Sequence, residues 1–169
     1  MSRAIYRSRQ FVTSLRPHVN AALRDEAFAL LSEPQRRLFA SMTVRDQQHC
    51  LDVCRRLRAS FPRKDHDDSD LLVAALLHDC GKGQIALWHR VAYVVLDAAA
   101  PGFLRGIASQ ANGPSWRGAL YRCVHHAELG ARLAEQAGSS SRVIGLIRGE
   151  HDAEPGEQLA ALRAADDAA

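Results

Sequence analysis

Lysine is almost missing from this chain. Of the 22 basic side chains in its 169 residues, only Lys64 and Lys82 are lysine, and the rest are arginine. Ammonium is compact and its pKa shifts readily, whereas guanidinium is a fixed charge. A lysine in so arginine-rich a chain therefore marks a place where ammonium chemistry is wanted. Lys82 stands in LLHDCGKG (Leu76–Gly83), where core-type leucines end abruptly on an adjacent His–Asp pair. Aromatic residues are scarce as well, at 6%. That argues against a single-stranded nucleic-acid binder, which stacks bases on aromatic rings. Cysteine occurs only at positions 50, 54, 80 and 123, with no C-x-x-C pair. A disulfide scaffold is excluded, and free thiols in a reducing compartment are expected. Long apolar runs are missing too. The most apolar stretch, VAYVVLDAAA, carries Asp97 and is about half the length of a membrane span. The N-terminus, MSRAIYRSRQF, has no apolar signal core. A soluble, cytoplasmic protein with no membrane partner is expected.

What is present is helical. Hydrophobic residues make up 47% and charged residues 24%, an ordinary globular composition rich in alanine, leucine and arginine. The length suits one domain with a real core. Residues 1–64 hold 13 basic against 5 acidic side chains, and residues 65–169 hold 9 against 14, which gives +8 and −5. The basic half has no nucleic-acid reading motif, so solvated helix faces account for it and no nucleic-acid partner is expected.

Helical periodicity runs almost throughout, and no window alternates for long like a strand. The pattern predicts helices at Tyr6–Leu15 and Ala21–Leu31. Ser32 with Gln35, and Thr43 with Asp46, read as starts of helices reaching about Ala40 and Ala59. Further helices are predicted over Asp70–His78, ending at the glycines of CGKG, and over Leu87–Ala99, closed by Pro101–Gly102. Another runs from Pro114 towards Gln136 with a break near His126, followed by Arg142–Glu150 and Glu157–Asp166. The expectation is a single all-α domain, a compact helical bundle. Residues 1–42 form N-terminal helices packing on a core built from 43–169. Trp88, Tyr93, Trp116 and Tyr121 read as core residues, with the lining of a substrate pocket built from residues 85–120 as the alternative.

The histidines carry the chemistry. His49 lies inside the long helix, His78–Asp79 close the next, His125–His126 sit in YRCVHHAELGARL, and His151 ends RVIGLIRGEH. Asp166 continues the last helix. Imidazole and carboxylate suit a divalent metal such as iron, manganese or zinc. Adjacent residues on a helix diverge by about 100°, so His78 and Asp79 share one site only where the helix ends, and Gly81 and Gly83 supply that end. An aspartate beside a histidine can bridge two metals while the histidine binds one. His18, His66 and His89 lack this context and read as surface or structural. Cys50 and Cys80 read as small buried fillers.

In this order the residues resemble the HD-domain superfamily of metal-dependent phosphohydrolases, over roughly 43–167. HDCGK is similar to its HD-x-G-K form, RDQQHCLDV to the helix of the first histidine, HAELGA to H-x-x-x-G-A, and LRAADDA to the terminal A-D helix. The resemblance implies that His49, His78, Asp79 and Asp166 hold one divalent metal. Asp79 bridges to a second, bound by His126 and by His151 or Glu150. Many relatives carry a histidine where this chain has Glu150, which then stands as an alternative ligand. His125 becomes a metal-site or outer hydrogen-bonding residue. The resemblance further implies iron, manganese or another transition metal, with magnesium as an option. The reaction is cleavage of a phosphoester or phosphoanhydride by metal-activated water, with Asp79 and Lys82 catalytic. Lys82 and Arg45 contact substrate phosphate, with Arg148 a weaker parallel. The substrate class is a small phosphorylated metabolite, a nucleotide or dinucleotide. Two rival functions share these ligands: a di-iron oxygenase, and a non-hydrolytic nucleotide-binding module with a degenerate site.

Overall fold

A computed structural model describes residues 18–60, 68–108, 116–149 and 156–169. These form nine α-helices and no strand: α1 (Ala21–Phe28), α2 (Glu33–Ala40), α3 (Val44–Ser60), α4 (Asp68–Leu77), α5 (Leu87–Ala99), α6 (Pro101–Ile107), α7 (Trp116–Gln136), α8 (Ser141–Arg148) and α9 (Gly156–Ala168). A single 3₁₀ turn, Cys80–Lys82, follows α4. The predicted helix at Tyr6–Leu15 lies outside the described residues, as do His66, Glu150 and His151.

Local chemistry explains the helix starts. The Asn20 side chain accepts from Leu23 N–H at 3.2 Å and caps α1. Gln35 Oε1 accepts from Ser32 N–H at 2.9 Å in the capping box of α2. Thr43 Oγ1 accepts from Asp46 N–H at 3.2 Å to open α3. Ser140 caps α8 through Val143 N–H, and Gly149 closes that helix at φ 76°, a left-handed position that favours glycine.

The apolar helix α4 runs through the middle, with Leu71, Ala74, Ala75, Leu76 and Leu77 all essentially inaccessible. It packs between α3 and α8, α9 lies along α3, and α7 spans the 3₁₀ turn and α8. Phe39, Cys50, Val53, Leu57, Val143 and Leu162 complete the same core, which Ala27 and Leu31 join from α1 and the residues just after it. The histidine positions therefore come together where α3, the end of α4, α7 and α9 converge.

The second layer bears on three sequence expectations. Pro101 does not only close α5; it opens α6, because at the first helical position its missing N–H costs nothing. The break expected near His126 is present, at His125, with φ −108° and ψ 15°. The core reading of the tryptophans is also overturned, since Trp88 is 58% exposed and Trp116 45%. Tyr93 and Tyr121 are half-buried. No residue of α5 is fully buried. Its inner side is spent on Arg90, which reaches buried Asp46 at 2.6 Å, and on Tyr93 and Leu96 packed against Leu104 and Leu120. Its apolar stripe is left facing outward.

All four cysteines are free and buried. Burial pushes the thiol of Cys80 up to about 12 and that of Cys54 to about 11, and it raises Cys50 and Cys123 too. The thiolate is the reactive form. A thiol-reactive chromophore is expected to label none of the four in the native protein within minutes, and all four after denaturation in guanidinium. Rapid labelling of even one thiol in the native protein would contradict their placement as inert fillers.

Candidate metal centre

The site is assembled from four chain segments, and each presents its donor for a local reason. Helix α4 stops at Leu77, so His78 and Asp79 occupy the turn into the 3₁₀ segment rather than diverging around a continuing helix. Their functional atoms then converge, with His78 Nε2 3.5 Å from Asp79 Oδ1. His49 arrives from α3, its ring 5.4 Å from that of His78. The donor atoms of His49, His78 and Asp79 all lie within 4.8 Å of one another, close enough to share one metal ion. Asp166 comes from the last turns of α9 and puts Oδ1 2.7 Å from His49 Nε2 and 3.5 Å from His78 Nε2.

The close approach that makes this possible is glycine-dependent. A Cβ at Gly81 would lie 2.0 Å from the His126 carbonyl oxygen and 2.5 Å from Gly130 N. Only hydrogen at Gly81 lets the 3₁₀ turn press onto α7 and bring Asp79 to the side of His126.

Two of the histidines are anchored through one ring nitrogen. His78 Nδ1 donates to the Ala75 carbonyl at 2.9 Å, and His126 Nδ1 donates to the Cys123 carbonyl at 2.8 Å. A backbone carbonyl on one ring nitrogen fixes the tautomer and leaves the other with a free lone pair, the usual arrangement behind a metal-binding imidazole. His78 Nε2 is buried and has no hydrogen-bond partner. A buried ring nitrogen left without a hydrogen-bond partner is a cost that a bound cation would remove. The donor set therefore fits a divalent metal of nitrogen–oxygen preference.

Electrostatics point the same way. Asp79 is 2% exposed. Burial works against its charged form, yet His78, Lys82 and His49 outweigh burial and hold the carboxyl well below the usual range. The 2.7 Å hydrogen bond with His49, with His78 close by, does the same for Asp166. Around His78, burial opposes the imidazolium but is outweighed by Cys50, Asp79 and Asp166, so its pKa lies well above the ordinary value. His126 goes the other way, lowered by burial and by Lys82, and is neutral at physiological pH. Lys82 Nζ sits 2.6 Å from Asp79 Oδ2. The two oxygens of one buried carboxylate are thus addressed to different cationic neighbours, Oδ1 to the histidine cluster and Oδ2 to the ammonium.

A cleft opens over this group, walled by His78, His126, Leu146, Arg148, Arg163 and Asp166. His126 is therefore beside the cluster, across the same cleft. His125 is exposed and its ring packs on Tyr121 at 4.3 Å, so the structure does not bring it into the donor group. Arg148 pairs with Glu128 at 2.9 Å. Arg45 lies one turn before His49 and is half-buried.

Residues 47–168 match the family model described as HD domain. The chain belongs to the HD-domain family. No curated protein and no solved structure matches it. HD domains are in general metal-dependent phosphohydrolases, and the His–Asp cluster of this one fits that chemistry. Among the described residues no helix is long and apolar enough to cross a membrane.

Two features of this HD domain escaped the sequence reading. Asp46 looked only like part of a helix start, yet it is 1% exposed and also holds Arg90 across from α5. A lone arginine inside the apolar stretch LWHRVAYVV was the available signal. Arg122 donates from Nε to the Lys82 carbonyl at 3.2 Å, bracing the loop that carries the lysine. No spacing rule joins positions 82 and 122.

Proposed function

We propose that this HD domain hydrolyses a phosphoester or phosphoanhydride of a small phosphorylated metabolite, a nucleotide or dinucleotide by class. The observation that carries the reading is buried Asp79, with one oxygen turned to His78 and the other to Lys82. His49, His78, Asp79 and Asp166 would hold one divalent metal, and His126 with Glu150 or His151 would serve a second. Bound metal supplies Lewis-acid polarisation of a phosphoryl oxygen and a water acidified towards neutrality. The protein does the rest. Backbone carbonyls on Nδ1 leave Nε2 as the nitrogen that His78 and His126 would offer a metal. Asp166 orients His49 through the 2.7 Å contact.

Lys82 has a separable role. Its ammonium neutralises Asp79 while no other cation is near, and it stays protonated because Asp79 outweighs the burial that disfavours charge. Were Asp79 to hold a metal, that ammonium would be available to a substrate phosphate. A hydrogen bond to a charged group is worth about 1.5–3 kcal/mol. Lys82→Ala is therefore expected to keep its metal and to lose roughly 10- to 100-fold in kcat/KM.

The test is elemental analysis of protein purified without oxygen, followed by phosphate release from a panel of nucleoside mono-, di- and triphosphates, cyclic nucleotides and bis(p-nitrophenyl) phosphate. Metal at one to two equivalents with metal-dependent phosphate release supports the hydrolase. Bound iron with oxygen uptake and no phosphate release would replace it with the oxygenase. Tight nucleotide binding without turnover would leave a binding module.

A further inference from the structure

Two arginines stand on the wall of the cleft over the cluster, Arg148 and Arg163. Arg148 is committed, with Nε 2.9 Å from Glu128 Oε2. Arg163 is not. Among the described residues no carboxylate pairs with it, and Asp166, one turn further along α9, is taken by His49 at 2.7 Å. The position of Arg163 is defined from two sides. Residues three apart share one side of a helix, and Arg163 and Asp166 both line the cleft. A Cβ at Gly149 would lie 3.2 Å from Arg163 Nη2, which puts the guanidinium over the end of α8. The last turn of a helix carries partial negative charge and favours a cation there. The helix end thus steadies an exposed cation beside the cluster and leaves its N–H fork unspent.

We propose that Arg163 binds the phosphate of the substrate in this cleft, an inference that rests on the hydrolase reading above. A guanidinium offers two parallel N–H groups to two oxygens of one phosphate, and it stays charged at every working pH. The need for it is electrostatic. Asp79 and Asp166 bring two negative charges to the cluster, and a cation on the cleft wall offsets the repulsion that an entering anion meets. Lys82 is held by Asp79 at 2.6 Å, whereas Arg163 is spent on neither carboxylate. The wall beside Arg163 is otherwise apolar, formed by Leu146, Leu159 and Leu162, which have nothing to offer a phosphate. A contact of this kind serves substrate and transition state alike. Its loss is therefore expected to raise KM and to leave kcat nearly unchanged.

Inorganic phosphate is the probe, because it is the group that every candidate substrate carries. Calorimetric titration uses the full chain purified without oxygen, with metal content measured for each variant. Arg163→Ala is expected to bind phosphate roughly 10- to 100-fold more weakly than the wild type, and Arg163→Lys, which keeps the charge but not the fork, to fall between them. Arg37→Ala, which removes an exposed arginine of α2, should match the wild type. Metal content and melting temperature should be the same in all four proteins. Equal phosphate affinity in wild type and Arg163→Ala overturns the proposal, and so does a wild type that takes up no phosphate. A lower melting temperature with unchanged affinity overturns it too, by making Arg163 a support for α8 alone. The hydrolase reading is judged separately, by metal-dependent phosphate release from the wild type. If the wild type turns over and Arg163→Ala keeps its KM, the hydrolase stands and the role of Arg163 falls. If phosphate binds through Arg163 but no substrate is cleaved, the hydrolase falls and the phosphate site stands.

Discussion

Asp79→Ala is expected to abolish metal retention and to lower turnover roughly 10³-fold or more, because on the proposed reading the carboxylate is a ligand as well as the buried negative charge of the cluster. The companion Asp79→Asn separates charge from volume. Asparagine fills the same buried space and avoids a cavity, but it cannot neutralise Lys82 or attract a cation. Without Asp79 the ammonium 2.6 Å away loses its partner in a half-buried position, so both variants should also be less stable without metal. Part of that cost is relieved because Lys82 remains 23% exposed and its head can turn to water. Thermal melts give a readout that does not depend on activity. A ligand that binds only the folded state raises Tm by mass action. Added manganese or zinc should therefore raise the melting temperature of the wild type and leave that of Asp79→Asn unmoved. An equal rise in both proteins would place the metal elsewhere and remove Asp79 from the site.

The sequence disclosed the fold and the cluster to very different depths. Capping residues and 3.6-residue periodicity are local signals, and they placed α1 to α5 and α7 to α9 within a few residues of their observed ends. The convergence of His49, His78, Asp79 and Asp166 is not local, since His49 and Asp166 are 117 residues apart. It was legible only because the ordered pattern resembled a known family. Periodicity went astray on α5. An amphipathic stripe says that a helix has an apolar face, but not which way the face looks, and here Arg90 was drawn inward by Asp46. A buried ion pair overrode the hydrophobic pattern, and Trp88 came out exposed as a result. The ring nitrogens of His78 and His126 were likewise invisible, because which one remains free depends on the carbonyls of Ala75 and Cys123.

Gly81→Ala should be the most damaging substitution in the chain that touches no ligand. Its methyl group would stand 2.0 Å from the His126 carbonyl oxygen and 2.5 Å from Gly130 N, and both obstacles are backbone. No rotamer change relieves such a contact, so the 3₁₀ turn and α7 must move apart by more than an ångström. Ordinary overpacking costs about 1–3 kcal/mol. Here the loss should reach about 3 kcal/mol or more, a large share of a typical total of about 5–15 kcal/mol. Gly130→Ala supplies the contrast. Its methyl would lie 3.3 Å from Gly81 N, 3.4 Å from the His78 carbonyl and 3.4 Å from the Ile147 side chain. Alanine inside a helix gains about 1 kcal/mol over glycine, which offsets that mild crowding and leaves the net effect near zero. Urea unfolding should therefore show a much lower midpoint for Gly81→Ala at unchanged slope, and almost no shift for Gly130→Ala. Position sets the functional consequence. The turn that must retreat carries Asp79 at its start and Lys82 at its end, and the helix it retreats from carries His126. Whatever fraction of Gly81→Ala folds should bind metal more weakly than the wild type at the same concentration. Equal affinity in the folded fraction would mean that the turn and α7 do not build the site together.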